Sequence, residues 1–129
     1  MHLLEATVLY QMKKWPEMMQ EAKSLLERSE SEVPYYTTEG VRPARYLLGL
    51  GALFGRHDLT LAYAYMSQLL QKSDSSRWVS YAYLRRGQIY DLRNERDKAL
   101  QDYRTVLSRD DFWGSHKEAQ TYLREPFKS

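Results

Sequence analysis

The sequence predicts an all-α fold in which three helical hairpins stack and a seventh helix closes the array, and three observations lead there. Glycine and proline are scarce, 6 and 4 copies in 129 residues, beside 43% hydrophobic and 28% charged content. That balance disfavours a turn-rich β design. Apolar residues recur with helical phase in Met18, Ala22, Leu25 and Leu26, in Ala62, Met66, Leu69 and Leu70, and in Ala99, Leu100, Tyr103, Val106 and Leu107. Each series also ends alike. "LLERSES" at Leu25, "LLQKSDS" at Leu69 and "VLSRDDF" at Val106 each give two apolar residues, a polar one, a cation and then Ser or Asp, the first steps being 44 and 37 residues apart. A cation is favoured there by the helix dipole, and periods in this range mark stacked helical hairpins.

The elements follow in order within one expected domain. A first hairpin spans about residues 2–29, with Leu3, Ala6 and Leu9 in phase on a helix over 2–13 and Pro16 in the first turn of its partner. No capping residue precedes Leu3, so this end is expected to meet a second copy or further repeats of a longer parent chain. Residues 30–42, "ESEVPYYTTEGVR", read as an irregular linker or a short helix, because Pro34, Gly40 and Pro43 oppose a continuous one. A second hairpin over about 43–73 pairs a helix at 43–55 with one capped by Asp58 after a Gly-Arg-His turn. The third, over about 75–109, pairs a helix at 75–92 with one opened by Asn94 and Asp97. A capping helix at about 115–125 begins with a Ser115/Glu118 box, presents Ala119, Tyr122, Leu123 and Phe127 inward, and stops at Pro126. Trp15, Trp78 and Trp113 fall near hairpin starts or ends and are expected to pack.

Composition narrows the function classes. With no cysteine, a disulfide scaffold, a thiol nucleophile and a Cys-ligated metal are excluded. His2, His57 and His116 are scattered, and no phosphate-binding glycine loop, nucleophile elbow or acid pair occurs, so no catalytic, cofactor or metal residue is expected. The absence of a signal-like lead or a membrane-length apolar run suggests a soluble, cytoplasmic chain with no membrane partner. Residues 77–109 carry eight basic groups against four acidic ones. Nucleic-acid binding through this stretch, with Tyr81 or Tyr83 stacking on a base, is the alternative function. The acids interleaved among Arg93, Arg96 and Lys98 weigh against it.

One feature of the third hairpin asks for a reason: Gly87 sits mid-helix, where it costs about 1 kcal/mol against alanine. Close approach of a neighbouring helix supplies one, with Ala99 opposite Gly87, and Gly51 with Ala62 repeating the device one hairpin earlier. Tyr83, Arg86, Gly87 and Tyr90, followed by Ala99 and Tyr103, resemble the tetratricopeptide repeat over residues 77–111. Arg86 departs from the leucine that pattern prefers. The resemblance implies a right-handed superhelical stack whose first helices line a concave groove for a peptide or partner helix. By matching positions, the groove would be lined by Leu3, Thr7, Tyr10 and Gln11, then Arg45, Leu48 and Ala52, then Tyr81, Leu84, Arg85, Gln88 and Asp91. Arg45 and Arg85 would suit an acidic ligand. The lysine and asparagine clamp of the family's carboxylate-tail adaptors lacks its signature here. The expected function is therefore a non-catalytic protein-interaction module, with self-association through the array ends as a further alternative.

Overall fold

The computed structural model describes residues 14–31, 35–71 and 74–128. They form α1 (Trp15–Ser31), α2 (Tyr35–Leu50), a π-helical turn (Gly51–Gly55), α3 (Leu59–Leu70), α4 (Arg77–Leu92), α5 (Arg96–Leu107) and α6 (Ser115–Arg124), with no strand among the described residues. The described residues are therefore all-α. The elements fall into two compact units, one ending at Tyr65 and one beginning at Met66. The first helix expected at 2–13 lies outside the described residues.

In the first unit α1 packs along α2, and both touch the π-helical turn. Met18, Met19 and Ala22 meet a run of buried residues that includes Ala44, Leu47, Leu48 and Leu50, continuing into Ala52 and Leu53. That packing corrects the expected boundaries. Residues 35–42 belong to α2, and Pro43 lies inside that helix where the linker was expected to give way to a new one. An internal proline costs about 3 kcal/mol by removing a ladder hydrogen bond. Here the proline is itself buried, and burial along residues 43–53 offsets the local preference. The π-helical turn then stops the rod, with Arg56 N–H reaching Gly51 O at 3.0 Å and Asp58 N–H reaching Ala52 O at 2.8 Å. His57 takes a left-handed φ of 54°. Asp58 caps α3 as expected, accepting from Leu61 N–H at 3.0 Å.

In the second unit α4 and α5 are joined by three residues and pack along each other, while α6 packs against both. Two expected caps are replaced. Asn94 adopts φ 60°, a conformation asparagine tolerates, and Glu95 takes the cap position of α5 without a side-chain cap bond. At α6 the cap position falls on Gly114, at φ 82°. Ser115 is already in the first turn, where its Oγ accepts from Phe112 N–H at 3.0 Å, and Asp111 Oδ1 accepts from His116 N–H at 3.1 Å. Glu118 lies 3.8 Å from Arg85 instead of closing a capping box.

The two glycines mark tight contacts, but with partners other than the expected alanines. Ala62 and Ala99 are fully buried, as is Tyr103, and Tyr90 nearly so. The space beside Gly87 is filled by the Tyr103 ring, whose Cε1 and Cδ1 would stand 2.5 and 2.8 Å from an added Cβ. Beside Gly51 the Met19 side chain takes that place, its Cγ nearest and its Sδ 2.5 Å from such a Cβ. Each is a backbone receiving a long side chain, where backbone against backbone was expected. Trp15 packs in this unit too, on Phe54 with ring centroids 6.0 Å apart.

Candidate functional site

The residues assigned to a groove divide by burial. Thr7, Tyr10 and Gln11, with Leu3, lie outside the described residues. Leu48, Ala52, Leu84, Gln88 and Asp91 are buried, between fully closed and 8% exposed, so they are core and not groove lining. The cause is helical phase: on α4 the row Leu84, Gln88 and Asp91 turns toward the unit's own helices, and the resemblance alone did not fix which face that unit buries. Arg45, Tyr81 and Arg85 are half-buried. Arg85 is engaged internally, donating from Nη1 to Gln88 Oε1 at 3.0 Å and lying near Glu118.

Asp91 is the polar centre of the second unit. Its carboxylate, 1% exposed, faces Arg96 Nη1 at 3.0 Å, accepts from the Tyr103 hydroxyl at 2.6 Å and from the Phe127 backbone N–H at 2.9 Å. Burial and that carboxylate push the Tyr103 hydroxyl far above its ordinary range, which keeps it a proton donor. Arg96 also donates to Leu123 O at 3.1 Å, tying α5 to α6. The departure at Arg86 has its answer beside this centre. Its Nε and Nη2 each donate to Asp102 at 2.8 Å, a bidentate pair that accounts for a guanidinium at this position. Burial raises the Asp102 carboxyl above its ordinary value while Arg86 pulls against that rise.

These pairs engage much of the basic stretch. Arg109 donates to Ser80 Oγ at 2.7 Å, to Ser76 O at 3.1 Å and to Asp74 O, and Lys98 lies 3.3 Å from Glu95. Arg77 is different. It is exposed, and its guanidinium carbon lies 4.9 Å from the Trp78 ring centroid and 5.1 Å from that of Trp113. Trp78 continues edge-on to Tyr81 at 5.9 Å.

Trp113 corrects the expectation that all three tryptophans pack, being 85% exposed. It also holds φ 50°, a left-handed conformation that costs a bulky residue about 1–3 kcal/mol. The loop around it is fixed: Ser115 N–H donates to Phe112 O at 3.0 Å, and His116 Nε2 donates to Arg109 O at 2.6 Å. Tryptophan and arginine, side by side here, are residue types enriched in interface hot spots. Sequence reading missed Trp113 and Arg77 because neither belongs to a periodic apolar series. The one available signal was "DDFWGS", an indole set among turn formers.

Among the described residues no three His, Cys, Asp or Glu side chains gather as a metal site would require. No described helix is long and apolar enough to cross a membrane. Compared with known proteins, the chain matches no family model, no curated protein and no solved structure.

Proposed function

We propose that this chain is a non-catalytic interaction module of tetratricopeptide-like, right-handed stacked hairpins that binds a protein or peptide partner. The observation that carries the reading is Trp113: 85% exposed, in a strained backbone, on a loop braced by hydrogen bonds. Strain at an exposed aromatic brings nothing to the core, and it is consistent with a side chain held ready for an external contact. Arg77, Trp78 and the half-buried Tyr81 extend the surface along α4 with the residue types that dominate interface energetics. Nucleic acid is the weaker reading, because Arg86, Arg96 and Arg109 are bound to internal acceptors and do not form a phosphate-facing stripe.

Panning a random peptide display library against the full chain tests the proposal. Selected peptides should bind saturably, and Trp113→Ala should weaken them by at least about tenfold while changing stability by no more than about 0.5 kcal/mol. A library that yields no saturable binder, or binders indifferent to Trp113→Ala, would overturn the reading.

A further inference from the structure

We infer that Arg77, set against the indoles of Trp78 and Trp113, is a receptor for one carboxylate, the side chain of a Glu or Asp in a peptide partner whose neighbouring apolar residue lies on the Trp113 indole. The inference rests on the peptide-binding reading and adds the chemistry of the ligand.

It begins from a contrast among the arginines of the second unit. Arg85, Arg86, Arg96 and Arg109 each donate to an oxygen of their own unit. Among the described residues the guanidinium of Arg77 has only its two ring contacts, and no carboxylate, carbonyl or hydroxyl accepts from it. The indoles restrict where that guanidinium sits without using its N–H groups, since a cation–π contact is made through the ring face. A guanidinium so placed is ready for the two parallel hydrogen bonds by which arginine grips a carboxylate.

The surroundings select the ligand's charge. The nearby cation Arg109 is engaged by Ser80 and two carbonyls and gives an anion no second anchor. A single guanidinium matches a single negative charge. A phosphate dianion or a nucleic-acid strand would bring more charge than Arg77 alone balances. The Trp113 surface supplies the second half of the recognition, contact area for an apolar side chain next to the acid.

The test follows the indole Nε1–H signals of Trp78 and Trp113 by NMR in the full chain during titration with N-acetyl-Phe-Glu-amide, its neutral isostere N-acetyl-Phe-Gln-amide, inorganic phosphate and an octathymidylate. The Glu peptide should give saturable shifts and bind about three- to fivefold more tightly than the Gln peptide. Arg77→Gln should erase that difference, and Arg77→Lys should keep part of it, with the remaining spectrum of each variant unchanged. Equal affinity for the two peptides, persistence of the difference in Arg77→Gln, or tighter binding of phosphate or the oligonucleotide would overturn the inference. If library peptides depend on Trp113 yet are indifferent to Arg77, the module reading stands and the carboxylate site falls. Glu-over-Gln discrimination without any library binder would count against the module reading alone.

Discussion

Both units fit a glycine against a long side chain, yet the unit ending at Tyr65 uses a thioether and the unit beginning at Met66 uses a phenol. Met19 has three soft torsions and no polar obligation, so the contact at Gly51 is adaptable. Tyr103 fills the space beside Gly87 with a ring whose hydroxyl is held by Asp91, and Asp91 in turn holds Arg96 and the backbone at Phe127. The same backbone device thus has different mechanical consequences. In the first case the partner can move alone; in the second it cannot move without disturbing a buried network. Packing tolerance should therefore differ between the units even where the glycines look equivalent.

The largest expected effect that would test this contrast comes from Asp91→Ala. Removing the carboxylate leaves Arg96, the Tyr103 hydroxyl and the Phe127 N–H without their acceptor, and loss of one partner of a buried pair costs about 3–5 kcal/mol. Hydrogen exchange read element by element should show α4 to α6 losing protection while α1 and α2 keep theirs. Uniform loss across both units would remove the distinction.

Next in size is a matched pair of substitutions. Gly87→Ala forces a methyl group against the tethered ring and should cost about 2 kcal/mol in urea denaturation. Gly51→Ala meets Met19 at Cγ and Sδ, and because that side chain is untethered and can turn about its own torsions the loss should be smaller than at Gly87, offset in part by the better helix propensity of alanine. Equal losses at the two sites would mean that the Asp91 tether does not stiffen Tyr103.

The smallest effect concerns the sign of a pH dependence in the second unit. Because burial raises the Asp102 carboxyl in the folded chain, the folded state binds its proton more tightly than the unfolded state does, so this group's contribution to stability falls as pH rises above the ordinary value of 3.8. Asp102→Asn mimics the protonated form. The advantage of wild type over this variant should accordingly shrink with rising pH in denaturation curves. An advantage that grows with pH would mean that Arg86 outweighs burial and the carboxyl is held low.

What the sequence disclosed and what it hid differ for physical reasons. The bounds of α4 and α6 lie within two residues of the expected 75–92 and 115–125, because short connections and a clear 3.6-residue pattern act locally there. α2 was obscured because Pro43 and the residues before it oppose helix locally, while packing on the preceding helix α1 and burial along residues 43–53 override them. Arg86 and Asp102 were each visible as polar groups at odd places, but only their meeting explains either. The buried face of α4 was assigned to a ligand because phase alone cannot say which neighbour covers it, and Asp91 thereby moved from an expected contact residue to the centre of a core network. The site now favoured depends on a loop, whose exposure and backbone sign follow no periodic rule.

One contact has a practical consequence for handling the chain. What Asp91 grips at position 127 is a main-chain amide, while the Phe127 ring rests edge-on against Tyr122 at 5.3 Å. The amide could come from any residue except proline, so the grip is indifferent to side-chain identity and is lost chiefly by shortening. Deleting Phe127 would therefore take one donor from the buried Asp91 carboxylate, whereas a label placed beyond Lys128 would leave that hydrogen bond intact.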